Sequence, residues 1–220
     1  MIIEKSKSMR EKVYDVLKEM IIEGKIAQGE RIIETEYSEQ FQISRTPIRE
    51  ALRMLELEGL VVSNAKGGVL VKKFTQEEIV EVYKIRIALE GIILEEVIQK
   101  ATEDDIKTIE KILEDTKVEI ENKNLEKVFE LFSKFNFVLY EIAKVPRVMG
   151  MINNINLYLK RFRKLSIDNT IRKEEAFGDH VQILECIKNK DLKKALKINR
   201  KHLEKSMTFM IPKFETEKNS

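Results

Sequence analysis

Residues 43–71 read ISRTPIREALRMLELEGLVVSNAKGGVLV, and this stretch decides the fold. Ile48, Ala51, Leu52 and Leu55 recur at three- and four-residue steps, the spacing of one apolar helix face. Ser44 stands where an N-cap belongs, and Arg45, Thr46 and Pro47 fill a first turn in which proline is tolerated. Arg45, Thr46 and Arg49 fall off the apolar stripe at the leading end. Two guanidinium forks and a hydroxyl there suit the guanine edges and phosphates of a major groove. Arg53 continues the basic face, and Glu50 is the only carboxylate among residues 43–53. Gly59 stops the helix, and residues 60–62 and 69–71 read as two short strands. The turn between them carries Lys66 beside Gly67 and Gly68. A helix followed by a wing is the predicted outline.

Upstream, Val13, Val16, Leu17, Met20 and Ile21 form an apolar helical stripe that Gly24 ends. Thr35 is placed to cap a short helix over 36–41, leaving Gln42 and Ile43 between the second and third helices. That is helix-turn-helix spacing. Residues 10–71 thus resemble the winged helix-turn-helix of GntR-type bacterial transcription regulators, through ISRTPIREAL, LELEGLVV and the glycine-bearing hairpin. The remainder looks like the all-helical, FCD-type effector domain of the FadR branch, so the resemblance spans nearly the whole chain. It implies a homodimer on a short inverted-repeat operator in double-stranded DNA. Arg45 and Arg49 would be the main readers, with Ser44 and Thr46 near phosphate, Arg53 beside them, and Lys66, Gly67 and Gly68 at the minor groove. Repression is the usual outcome among such regulators. At Thr35 the chain departs from the pattern, because many relatives carry a DNA-touching arginine there.

Composition fits this outline without announcing it. The chain has 220 residues, 35% charged, with a net charge of only +2, so a case for nucleic acid rests on local placement rather than on global excess. One cysteine, Cys186, excludes an intrachain disulfide and suits a reducing compartment. No apolar run approaches the roughly 20 residues that span a bilayer, and no signal peptide opens the chain, so a cytoplasmic protein with no membrane partner is expected. With 3 prolines, 8 glycines and no tryptophan, long helices and short connections are favoured.

The predicted class is mainly α, with an N-terminal winged helix-turn-helix over residues 1–74 and an antiparallel bundle of about six helices over 75–214. Residues 215–220 read as a disordered tail. Thr75-Gln76-Glu77-Glu78 is a capping box opening a long helix. Ile79, Tyr83, Arg86, Glu90, Ile93 and Val97 share one face of it. Arg86 and Glu90, four apart, read as a structural ion pair beside the core, with an effector-contacting Arg86 as the alternative. Arg86, Leu89 and Glu90 match the Arg-x-x-Leu-Glu signature of the FCD-type domain. Further helices are predicted over 102–121, 125–143, 146–166, 174–188 and 192–210.

His180 and His202, the only histidines, point inward from their helices. Both fall where metal-binding members of the effector domain place histidine ligands. Those members add an aspartate and a histidine on an earlier helix, at positions that align here with Phe132 and Asn136. Phenylalanine cannot ligate, asparagine is a weak ligand, and two imidazoles alone make a poor zinc site. The readings that stay open are a divalent metal, zinc or nickel, on His180, His202 and Asn136, or a metal-free polar cavity. Such a set is costly to bury without partners. With Arg86, Asn156 and Arg163 it makes an inventory that suits a small carboxylate, as organic acids suit many relatives.

No Gly-rich phosphate loop, catalytic carboxylate pair or Ser/Cys nucleophile with a base stands out, so the chain is not expected to be an enzyme. The competing function is a metal-dependent sensor or enzyme built on His180 and His202. The aromatic cluster Phe129, Phe132, Phe135 and Phe137 reads as bundle packing, and the run Lys160, Arg161, Arg163 and Lys164 as a solvated helix face.

Overall fold

The structure, a computed structural model, describes residues 7–73, 75–165 and 170–218. Side chains at 157–158, 160–165, 170–172 and 210–218 lie outside the described set. The chain divides into two compact units, Met1–Thr75 and Gln76–Ser220.

In the first unit, helix α1 spans Met9–Ile22. Ser8 opens it with a reciprocal cap: its side chain accepts from the Glu11 amide, and the Glu11 carboxylate accepts from the Ser8 amide at 2.8 Å. Val13, Tyr14, Leu17 and Ile21 are buried along one face, while Val16 stays exposed on the flank of that stripe. Strand β1, Arg31–Ile32, leads into α2, Glu34–Phe41, and α3, Arg45–Leu57. The expected stripe of Ile48, Ala51, Leu52 and Leu55 is the buried face of α3, which packs on α1 and α2. Strands β2, Val61–Ser63, and β3, Val69–Val71, follow as an antiparallel hairpin.

Three local expectations need correction. Helix α2 begins at Glu34 with Ile33 as its N-cap, so Thr35 lies inside the first turn and caps nothing. The first wing strand is shifted by one residue from 60–62, because Leu60 turns inward to the core at the end of α3. Strand β1 was not foreseen at all. It pairs with β3, Arg31 opposite Leu70 and Ile32 opposite Val69, giving a sheet of order β1-β3-β2. Ile32 is fully buried, and this anchors the wing to the helical core.

The second unit holds six helices among the described residues: α4 Gln76–Lys100, α5 Glu103–Glu121, α6 Leu125–Ala143, α7 Pro146–Leu165, α8 Thr170–Lys188 and α9 Leu192–Lys218. Helix α4 is central and packs on α6, α7, α8 and α9. Short connections fold neighbours back on one another. Thr102 caps α5 through a box with Asp105, and Asn124 caps α6 through the Lys127 amide. The core gathers Ile93, Val97, Ile109, Leu131, Phe135, Ile152, Ile183 and Leu184, with Cys186 among them. Each such side chain contributes about 1.5–3 kcal/mol when fully buried.

Helix α8 starts four residues before 174, and α9 runs to Lys218, into the stretch expected as a tail from Glu215. Residues 215–218 contain only helix-compatible types, so nothing in the local sequence stops the helix there. Residues 219–220 lie outside the described set. No helix among the described residues is long and apolar enough to cross a membrane.

Candidate nucleic-acid interface and helical-domain cavity

The leading turn of α3 is built from its neighbours. Gln42 ends α2 in a left-handed conformation, φ 55°, and the Ser38 hydroxyl donates to the Ile43 carbonyl at 2.6 Å, fixing the turn between α2 and α3. Ser44 is the N-cap by backbone geometry but makes no side-chain cap hydrogen bond. Its hydroxyl, expected to serve the helix, is exposed at the helix mouth with Arg45 and Thr46. A helix N-terminus carries partial positive charge and unpaired amides, which favour phosphate.

Arg49 is exposed one turn further on, and its fork is engaged. Nε donates to both carboxylate oxygens of Glu34, at 3.0 and 3.1 Å, and Nη2 donates to Oε2 at 2.7 Å. The hydrogen bond from Arg49 is the main cause that holds the Glu34 carboxyl below its ordinary range, with Arg45 and Arg53 adding to it. Arg53 makes a long 3.5 Å contact with Glu50.

The wing turn is locked by its own backbone. Gly67 N donates to Asn64 O at 2.8 Å, Asn64 N to Gly68 O at 3.1 Å, and Lys66 N to the Asn64 side chain at 3.1 Å. Gly68 has φ +72°, and a Cβ there would lie 2.5 Å from the Ile32 carbonyl oxygen. Only glycine fits that approach. Arg31, which the sequence reading passed over, donates through Nε to Gly67 O at 2.9 Å and through Nη2 to Lys66 O. Its two-residue strand gives no periodic signal, so only the fold reveals that it reaches the wing.

In the second unit, His180 on α8 is buried, stacked on Phe135 with ring centroids 4.2 Å apart and met edge-on by Phe132 at 4.8 Å. His202 on α9 lies 5.1 Å from it, ring to ring, and its Nδ1 is 3.1 Å from Asp179 Oδ2. His180, His202 and Phe135 line a cavity of about 10 Å³ together with Asn136, Glu90, Tyr140 and Asn199. That is room for about one water. Arg86 stands behind Glu90, both buried, Nε to Oε1 at 2.7 Å, and Tyr140 donates its hydroxyl to the same oxygen at 3.3 Å. Burial works against the Glu90 charge, but the adjacent Arg86, His202 and an Asn199 hydrogen bond outweigh it and hold the carboxyl below its usual range.

Of the expected effector set, Asn136, His180 and His202 converge on this cavity. Arg86 is engaged by Glu90, in keeping with the structural ion pair. Asn156 on α7 does not line the cavity, and Arg163 lies outside the described side chains. Asp179, Tyr140 and Asn199 were not singled out, since a polar residue on an inward stripe shows no partner in sequence. The residues present do not fit a divalent metal. Phe132 and Phe135 pack on His180, Asp179 engages His202, and among the described residues no group of three His, Cys, Asp or Glu could hold an ion.

Residues 9–71 match the family model for bacterial regulatory proteins of the gntR family, and residues 81–205 match the FCD domain. The chain belongs to the GntR family. It is 34% identical to the uncharacterized HTH-type transcriptional regulator YdhC of Bacillus subtilis over 81% of this chain and 80% of that protein. It is 28% identical to the HTH-type transcriptional repressor RspR of Escherichia coli, over 83% of this chain and 80% of that protein. The same identity relates it to the gluconate operon transcriptional repressor of B. subtilis, over 84% and 77%. The solved structure of E. coli McbR/YncC superposes with TM-score 0.73 at 19% identity, covering 95% of this chain and all of that one, which shows the shared fold. This GntR-family chain is therefore a transcription regulator with an FCD domain, and its named relatives are regulators rather than enzymes.

Proposed function

We propose that this GntR-family chain is an effector-responsive repressor of the FadR branch, acting in the cytoplasm as a homodimer on a short inverted repeat. Residues 1–74 read DNA, and 75–214 bind the effector and hold the dimer. The carrying observation is the cluster of exposed Arg45, Thr46 and Arg49 on the leading turns of α3, off its buried stripe. Ser44 and Thr46 take phosphate, Arg45 and Arg49 take base edges or phosphate, Arg53 flanks them, and Lys66, Gly67 and Gly68 approach the minor groove.

The effector is a small organic acid, received without a metal by the cavity of Asn136, His180 and His202. Support comes from the polar lining and from the name of one relative, a gluconate operon repressor, gluconate being a small hydroxylated carboxylate. Arg86 and Glu90 keep the wall of that cavity in place, and Asn156 and Arg163 of α7 remain candidates for its approach. Effector binding biases how two DNA-binding units are held, a coupling through differential affinity for two arrangements. The metal-dependent alternative on His180 and His202 would take Asn136, a weak neutral ligand, as its third, and among the described residues no group of three His, Cys, Asp or Glu favours it.

Binding to duplexes selected from a random library tests the reading. Arg45→Ala or Arg49→Ala should weaken binding to the selected duplex by about tenfold or more while the FCD unit stays folded. Equal affinity of both variants and the parent would refute the assignment.

A further inference from the structure

Glu34 opens α2 inside the basic face just described, with its carboxylate on Arg49 at 2.7–3.1 Å. An acid facing phosphates weakens binding to every duplex. The pair also adds little to folding, because Arg49 is 54% exposed and water screens it. Its geometry offers a different benefit. Glu34 engages Nε and Nη2, the side edge of the fork, and leaves Nη1 and the outer hydrogen of Nη2 at the tip. That tip is an edge with which a guanidinium can grip guanine O6 and N7. A long exposed side chain otherwise samples many rotamers and must lose them on binding.

We propose that Glu34 is a positioning residue that sets specificity: it holds Arg49 in one orientation before DNA arrives, so that affinity for any duplex is lowered and discrimination between duplexes is raised. This rests on the DNA-reading role of α3 given above. Arg45 has no such carboxylate partner among the hydrogen bonds of the described residues, so the two arginines divide the work. Arg45 supplies charge at the helix mouth, and Arg49 supplies direction.

The test uses the full chain. A duplex is selected from a random-sequence library with the parent protein, and Kd is measured on it and on a scrambled duplex at two salt concentrations. Glu34→Gln should bind the scrambled duplex about threefold more tightly, one repelling charge having gone. Its ratio of selected to scrambled affinity should fall about tenfold. Arg49→Lys, which keeps the charge and loses the fork, should lower the ratio without tightening the scrambled complex. In an Arg49→Ala background, Glu34→Gln should leave the ratio within about twofold, since nothing remains to be aimed. An unchanged ratio in Glu34→Gln, an equal loss on both duplexes, or the same fall without Arg49 would overturn the proposal. If Glu34→Gln does not fold, Glu34→Asp decides: it keeps the charge, shortens the reach, and should lower the ratio while leaving the scrambled complex unchanged; no fall in the ratio overturns the proposal. Failure of the parent protein to enrich any sequence would instead overturn the DNA-reading role itself.

Discussion

Removing Glu90 gives the sharpest test of how the FCD unit is held together. The side chains of Arg86 and Glu90 are 5% and 7% exposed and meet at 2.7 Å, with Tyr140 donating to the same carboxylate oxygen. Glu90→Ala leaves a guanidinium buried without its counter-charge and removes one acceptor of the Tyr140 hydroxyl. Breaking a buried pair from one side costs about 3–5 kcal/mol. For a unit of this size, that corresponds to a fall of about 10 °C in Tm. Replacing both members with apolar residues, Arg86→Met with Glu90→Leu, removes the desolvation cost as well and should restore most of the loss. The folded-state pKa of Glu90 is depressed, so its contribution is complete above the unfolded value near 4.5 and is lost as pH falls through the lower folded value. Urea or thermal melts followed by circular dichroism, at pH 7 and across pH 5 to 3, read both effects. A loss below about 1 kcal/mol for Glu90→Ala, or a double variant as damaged as the single, would refute the reasoning.

Gly68→Ala puts a Cβ against the Ile32 carbonyl at positive φ and should destabilise the winged unit by about 2 kcal/mol or more, measured by its own melt. Gly67→Ala, whose nearest neighbour is the movable Arg31 end at 3.6 Å, should cost clearly less; equal costs would count against the close approach. Arg31→Met removes both donors to the wing carbonyls and should raise amide exchange at residues 64–68 without changing that of α3; uniform protection would show the clamp to be idle. A thermal-shift screen of small carboxylates should find a stabilising acid whose effect survives a chelator, because a ligand bound only by the folded state raises Tm. A stoichiometric metal lost on His180→Ala would overturn the metal-free cavity.

Much of this molecule is legible in its sequence, for reasons that differ by region. Helix α3 declares itself because its amphipathic stripe, its proline at the third position and its glycine stop all agree. Helices α5 and α6 are similarly plain, with Thr102 and Asn124 at their starts. Strand β1 is illegible because two residues carry no period, and it exists only by pairing with β3 across an intervening helix-turn-helix. Thr35 misleads because a capping residue type sits one turn-position inside a helix that starts without a side-chain cap. The cavity is half legible. Inward-facing His180 and His202 can be placed from helical phase, whereas the Asp179 and Glu90 partners depend on how four helices meet.

The cleft between those four helices is nearly shut. On the proposed reading, an acid larger than one water needs more room than this void offers, so its binding would shift the side chains of α4, α6, α8 and α9 that line it, His180 and its stacked Phe135 among them. A molecule that binds there cannot be a silent passenger: its arrival is itself a displacement of side chains on the long helix α4 that opens the second unit.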